Sequence, residues 1–372
     1  MKNETKNVTI TGYNSDGDGV ARLDDGKVVF IRGSARGDFL EVRLTEEKPR
    51  SARAEIVRII TPSPHRTEPD CTFYPECGGC DFRHITYEEE LDVKQKRVND
   101  ALERIGGLSV RVDSVLNTGQ VNGYRNKVVL HSDGIQTGFY RTGSHEIVPV
   151  NHCLLLRDDI NSALKSLKRN REITIRSGLN GLNEPLEEEL DGLVFQVSGF
   201  FQINTEAALL LFQKAREYAN LTKDDTLVDL YCGVGALTLF AGRDAGHTIG
   251  IEQNPDAIKT ARENARRNKL SHIEFINADA ASRFTEISNP SCIIVDPPRK
   301  GLSPAVIRNL LELNAKHIIY ISCNPATMAR DLKLLEDYTV HDICAIDMFP
   351  RTANIECCCL LEKQGDGSSA WY

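Results

Sequence analysis

Apolar and polar positions alternate in short runs along the first sixty residues. VTITGY, GVARL, KVVFI, FLEVRL and ARAEIVRII are separated by SDGDG, DDG and GSARGD, a period of two punctuated by turn residues that predicts five β-strands. Five strands in so short a stretch fit a small OB-like barrel. TPSPHRTEP, with three prolines, reads as a linker. Thr86 and Glu89 then form a capping box. It opens a helix whose Leu91, Val98, Leu102 and Ile105 share one face and which Gly106 and Gly107 end. Residues 108–200 mix strands near VVLHS, GIQTGFYR, HEIVPV, EITIRSG and LVFQVSG with a helix over 157–169.

After Gly199 the period changes. Helix 205–219 leads into strand TLVDLY, helix 236–244, strand HTIGIE, helix 256–268, strands HIEFIN and SCIIVD, helix 304–314, strand HIIYIS, helix 325–336 and two final strands. Such alternation predicts an α/β doubly wound parallel sheet with ligands at the carboxyl ends of its strands. The chain thus divides into a barrel over 1–62, a mixed α+β domain over 63–199 and an α/β domain over 200–372.

Composition adds limits. Of 372 residues 41% are hydrophobic and 26% charged, the balance of a globular protein with a real core. No apolar run approaches the roughly 20 residues of a membrane helix, and the start MKNETKNVTI is polar, so a cytoplasmic protein without membrane contact is expected. The net charge of −8 excludes a generally basic nucleic-acid coat. Positive charge is locally in excess between Arg43 and Arg66, where Arg43, Lys48, Arg50, Arg53, Arg58 and Arg66 face Glu46, Glu47 and Glu55. That excess can hold a phosphate backbone, and an ordinary mixed surface explains it equally well.

The motifs fall at the predicted strand ends. In DLYCGVGALTL, Asp229 ends a strand while Gly233 and Gly235 let the backbone pass close to a ligand. A loop this short and acidic suits a cationic ligand better than a pyrophosphate. Glu252 in IGIEQN is placed to bind ribose hydroxyls and Asp279 in INADA to meet an adenine edge. Each acid alone reads as a loop residue or cap; three at successive strand ends form the pattern of class I methyltransferases. VDPPRKG fixes Asp296 in a rigid turn. The Arg after its two prolines disfavours methylation of exocyclic amines. In ISCNP, Asn324 caps a helix, Pro325 suits its first position, and Cys323 lies before its positive end, a place expected to lower a thiol pKa. A thiolate has a use here. Carbon 5 of uracil attacks a methyl sulfonium only once a nucleophile has added at C6, and a base must then remove the C5 proton. FPRTANIE supplies Glu356 as that base.

Eleven cysteines without a secretion signal point to metal or catalytic roles rather than disulfides. Cys71, Cys77 and Cys80 offer three thiolates from one loop, with Cys153 the best fourth ligand and His84 or His152 the zinc alternatives. By spacing alone zinc and an iron–sulfur cluster are equally well served. Cys292, Cys344 and Cys357 to Cys359 read as core.

DLYCGVG, DPPRKG, SCNP and FPRTANIE, in that order, resemble the RNA uracil-5 methyltransferases of tRNA and 23S ribosomal RNA. The resemblance extends over nearly the whole chain, through FFQIN and a TRAM-like barrel in front. It implies S-adenosylmethionine as cofactor, an rRNA or tRNA substrate, Cys323 as nucleophile and Glu356 as base. It also implies that Gln202, Tyr231, Glu252, Asp279 and Asp296 match positions binding the cofactor or the target base, and that Cys71, Cys77, Cys80 and Cys153 hold a 4Fe-4S cluster. A monomer is expected. Two positions depart from the family: Asn354 stands where a His is common, and Ala236 where several members place a cofactor-binding Asn. Two rival readings remain, an RNA-binding iron–sulfur protein without catalysis and a cytosine-5 methyltransferase. The intact Cys323 and Glu356 argue against the first. The second typically carries its nucleophile in a Pro-Cys pair, which this chain lacks at that site.

Overall fold

The computed structural model describes residues 5–164, 172–183, 186–282, 287 and 289–365. Alternation in the first sixty residues produces a six-stranded barrel rather than the expected five, because VTITGY divides into Thr5–Thr9 and Gly12–Tyr13. Val8, Ile10, Ala21, Val29, Ile31, Leu40 and Val42 face inward and close its core. The linker is fastened at its end, where Arg66 Nη2 lies 2.7 Å from the fully buried Asp38 carboxylate.

Helix α1 (Tyr87–Ala101) starts where expected, with Thr86 Oγ1 accepting a hydrogen bond from Glu89 N at 3.3 Å. The capping box closes on that side only. Thr86 N donates to His65 O instead, and the Glu89 carboxylate is taken by Arg36. The helix then widens into a π turn over Leu102–Gly106, ended by Gly107 at φ +67°. The extra residue in that turn rotates Ile105 off the apolar face, leaving it 44% exposed. The expected helix over 157–169 is α2 (Asp158–Leu164), and its predicted continuation lies outside the described residues. Next to α2 stands a five-stranded antiparallel sheet centred on Lys127–Ser132 and Glu172–Gly178.

The C-terminal half follows its hydrophobic pattern closely. Its helices are α3 (Thr205–Ala219), α4 (Ala236–Gly242), α5 (Pro255–Arg267), α6 (Pro304–Leu313) and α7 (Pro325–Leu332). Its strands are β1 (Thr226–Leu230), β2 (His247–Glu252), β3 (Ile273–Asn277), β4 (Cys292–Val295), β5 (His317–Ser322), β6 (Tyr338–Ile346) and β7 (Glu356–Lys363). They lie in the order β3-β2-β1-β4-β5-β7-β6, with Val115–Leu116 added beside β6. The first five run parallel, and β7 is antiparallel to both its neighbours. The order reverses between β1 and β4, which places the ligand crevice at their carboxyl ends. Strand β7 is covered on both faces: Cys358 packs into one core layer, Cys357 and Cys359 into the other, and none is exposed. That explains the triple cysteine as small apolar packing in a doubly covered strand.

The packing also joins segments across the expected divisions. Val98, Leu102, Val112 and Val115 share a core with Leu230, Ile293 and Val295 of the large sheet. Leu186, Leu190 and Phe195 pack in the other core layer with Leu211 and Phe212 of α3. No helix among the described residues is long and apolar enough to cross a membrane.

Candidate active site

The turn after β1 is held open by its backbone. Tyr231, Gly233 and Gly235 all have positive φ, at +71°, +55° and +82°. A side chain at Gly235 would meet the Phe275 ring at 2.9 Å, whereas nothing lies within 4 Å of the space over Gly233. Gly235 is thus required by packing, and Gly233 leaves room for a ligand. Glu252, at the end of β2, spans this turn: its carboxylate accepts from Gly233 N at 3.3 Å and from Asn254 N at 2.8 Å. Asp279, beyond β3, is exposed and accepts from Ala281 N at 2.8 Å. Burial, with Asp279, Asp331 and Glu252 nearby, pushes the Tyr231 phenol up to about 12. Asp229 turns inward, receives the Thr238 hydroxyl at 2.5 Å, and is raised to about 7 by burial. Gln202 is half-buried just ahead of α3, and its backbone carbonyl accepts from Asn126.

Beyond β4 and β5 two turns interlock. Asn324 caps α7 through Ala326 N at 3.2 Å, and its Nδ2 donates to Arg299 O, also at 3.2 Å. The Arg299 guanidinium donates to Asn354 Oδ1 at 2.7 Å. Asn354, where a His is common in the resembling family, therefore orients an arginine. Cys323 is half-buried in this corner. Its pKa is raised, first by burial and then by Glu356, while Arg299, within hydrogen-bond reach of the thiol, and its charge oppose the shift. The helix end expected to lower it is in place, but desolvation and a neighbouring carboxylate outweigh it. Glu356 opens β7, is 4% exposed, and lies well above the ordinary carboxylate range through burial and the charge of Asp296. Asp296 is pushed up to about 6 by burial.

The segment leading to Glu356 is pinned from two sides. Asp81 N and Phe82 N donate to Arg351 O at 2.9 and 3.2 Å, and Asp81 Oδ2 accepts from Ala353 N at 2.9 Å. From α1, the fully buried Lys94 reaches Asp347 Oδ1 and Glu90 Oε1, both at 2.7 Å, and Phe349 O at 3.2 Å. Arg299 lies in DPPRKG, and Phe349, Arg351 and Ala353 in FPRTANIE, but no motif marks Asp81, Phe82, Glu90, Lys94 or Asp347. The Glu90–Lys94 spacing of i,i+4 was the only available signal, and it suits a surface pair equally well.

Cys71, Cys77, Cys80 and Cys153 line one cavity of about 50 Å³ with Phe73, Tyr74 and other residues, and all four are free thiols. Burial raises Cys77 and Cys153 and pushes Cys80 up to about 12, against the pull of Arg83, whose Nε donates to Cys80 Sγ at 3.3 Å. Gly78 is needed there, since a Cβ would lie 2.9 Å from Tyr140 O. Among the described residues no three His, Cys, Asp or Glu side chains converge on a single metal ion. His84 has both ring nitrogens engaged, by Tyr74 OH and Ser34 O.

The basic run of the barrel is largely neutralised within the chain. Arg43 pairs with Glu55, Lys48 with Glu46, Arg53 with Asp18 and Arg58 with Glu41. Cys323 instead opens onto a groove of about 780 Å³ between barrel residues 11–16 and the outer face of α1.

Comparison with known proteins supports the same assignment. Residues 182–364 match the tRNA (uracil-5-)-methyltransferase family and residues 1–57 the TRAM domain. An uncharacterized RNA methyltransferase of Nostoc sp. is 32% identical, the match covering 97% of this chain and 96% of that one. Another, of Caldanaerobacter subterraneus, is 31% identical with 97% and 98% covered. The structure of the Pyrococcus abyssi tRNA (uracil-54, C5)-methyltransferase with S-adenosyl-L-homocysteine superposes with a TM-score of 0.76 at 25% identity, covering 96% of this chain and all of that one. The chain therefore belongs to the RNA methyltransferases, with a region that matches the TRAM domain ahead of one that matches the tRNA (uracil-5-)-methyltransferase family.

Proposed function

We propose that the protein methylates C5 of a uridine in RNA, with S-adenosylmethionine as methyl donor, Cys323 as nucleophile and Glu356 as base. The observation that carries this reading is the meeting of Cys323, Arg299, Asp296 and Glu356 at neighbouring strand ends, where Cys323 and Arg299 line a groove open to solvent and Glu356 is buried beside them. Gln202, Tyr231, Gly233, Gly235, Glu252 and Asp279 fit the cofactor, with an open turn and carboxylates for a ribose and a cationic ligand. Bound there, it supplies an electrophilic methyl group. Cys323 gives its proton to water in the open groove, with Arg299 beside the thiolate, and adds to C6 of the uracil, which makes C5 nucleophilic. After methylation Glu356 takes the C5 proton, and the Cys323–C6 bond breaks to release the thiolate. A carboxyl raised by burial is a stronger base than an exposed one and suits that step. Asp296 lies between the cofactor turn and Glu356 and adds its charge to burial in raising the proton affinity of the latter.

The four-cysteine cage fits a 4Fe-4S cluster better than zinc. Its thiols surround a cavity rather than a single point, which suits a cluster more than one ion. Such a cluster would bind through Cys71, Cys77, Cys80 and Cys153 and tie the loop that ends at Asp81 to residue 153. The test of the overall reading is incubation of bulk tRNA or rRNA with methyl-labelled S-adenosylmethionine, followed by digestion to nucleosides. Labelled 5-methyluridine supports it; label only in another nucleoside, or none, overturns it.

A further inference from the structure

Helix α1 turns two different faces to its surroundings. Glu90, Lys94 and Val98 are buried, while residues 93, 97, 101 and 104, at helical spacing, form one wall of the groove that ends on Cys323. From residue 92 to 105 that wall is roughly 20 Å long, at about 1.5 Å per residue. Several cations lining the groove already have partners: Arg36 pairs with Glu89, and Lys96 and Arg104 both with Asp100. Arg97 differs. Its Nη1 donates to Ala353 O at 2.5 Å, and among the described residues it makes no salt bridge.

Arg299, across the floor of the groove, also has no carboxylate partner among the described residues and is held by the amide of Asn354. Both arginines line the groove, anchored on the neighbouring residues 353 and 354, and the Arg97 guanidinium is lowered first by burial and also by the charge of Arg299, against Cys357, Asp16 and Cys323. Two like charges beside a nucleophile, neither of them in a salt bridge among the described residues, make a site that an anion would stabilise. A base can reach Cys323 only out of its stack, so the strand carrying it must be held by its backbone.

We propose that Arg97 and Arg299 form the seat for one phosphodiester of the RNA strand, flanking the nucleotide presented to Cys323. This rests on the reading that the enzyme modifies a base in RNA. It assigns the positioning contact to α1 and the turn after β4, not to the internally paired arginines of the barrel. Asn354 serves the seat by orienting Arg299.

The test is the salt dependence of binding of the full-length protein to a fluorescein-labelled single-stranded oligouridylate. Arg97→Gln removes the charge and keeps a donor for Ala353 O; circular dichroism checks that it folds. Its slope of log K against log salt should be shallower by about 0.7, the value of one single-strand phosphate contact. Affinity should fall several-fold at low salt, and Arg97→Lys should recover most of both. Arg43→Ala, which removes a cation already paired, should keep the wild-type slope. Wild-type slope and affinity in Arg97→Gln overturn the seat. So does an equal loss of slope in Arg43→Ala, or wild-type binding with no salt dependence. A wild-type enzyme that binds as described yet forms no 5-methyluridine would instead sink the catalytic reading alone.

Discussion

Burial raises Cys77, Cys80 and Cys153 in one cavity and Cys323 in another, and their surroundings give them different chemistry. In the cage of Cys71, Cys77, Cys80 and Cys153 the thiols face one another and aromatic rings across about 50 Å³, and Cys80 is pushed up to about 12. Cys323 is also raised, but it lines a groove of about 780 Å³ together with the Arg299 guanidinium and has two carboxylates, Glu356 and Asp296, beside it. Burial alone does not distinguish a metal ligand from a nucleophile. Several thiols closed around a small space suit a cluster. One thiol beside an arginine and a base, with access for a large molecule, suits a bond that forms and breaks in each turnover.

The largest effect expected from this contrast is at Cys323. Cys323→Ala should reduce methyl transfer to background while leaving RNA binding and the circular dichroism spectrum as in wild type. Near-wild-type turnover would put Cys323 with the inert cysteines. The cage should respond in the opposite manner. Anaerobically purified wild type should carry about four irons and four sulfides per chain. Cys80→Ser should lose both, together with about 4 kcal/mol or more of stability against denaturant, the scale of a lost structural metal site. Stoichiometric zinc without labile sulfide would overturn the cluster.

A smaller effect sharpens the account of the groove floor. Glu356 must be ionised to take a proton and Cys323 to attack, and both are raised above their ordinary values. Activity should therefore fall as pH drops, along a limb lying above the ordinary carboxylate range. Asp296 raises both groups, so Asp296→Asn should lower both and move that limb to lower pH by on the order of one unit. The readout is the position of the limb in a pH profile of kcat, whatever the residual rate. An unmoved limb would remove Asp296 from the electrostatics of the site.

Much of this was legible in the sequence because it is written locally. Alternation of period marked α3, β1 to β7 and their helices, and glycines and acids at strand ends marked the cofactor turn. The spacing of Cys71, Cys77 and Cys80, with NHC later, marked the cage. What escaped depends on distant segments meeting. Lys94 lies 253 residues from Asp347, and nothing near either announces the ion pair that fixes the approach to Glu356. The direction of the Cys323 shift escaped for a similar reason. Asn324 and Pro325 correctly marked a helix start, but β7 pairs beside β5, with Ser322 opposite Cys357, and so brings Glu356 to the thiol. Between Arg43 and Arg58 the sequence left a phosphate-holding patch and an ordinary mixed surface equally open, and the pairs of Arg43, Arg53 and Arg58 with Glu55, Asp18 and Glu41 favour the second.

The central claim, a covalent Cys323–uracil intermediate resolved by Glu356, is tested most directly by Glu356→Gln. Incubated with substrate RNA and methyl-labelled S-adenosylmethionine and run on a denaturing gel, this variant should still attack C6 and still become methylated at C5. It should then stall, because the thiolate leaves only after the C5 proton is removed. The account predicts a labelled band of protein joined to RNA, absent from the Cys323→Ala, Glu356→Gln double variant. An inactive Glu356→Gln enzyme with no joined species, or one that releases 5-methyluridine at the wild-type rate, would contradict it.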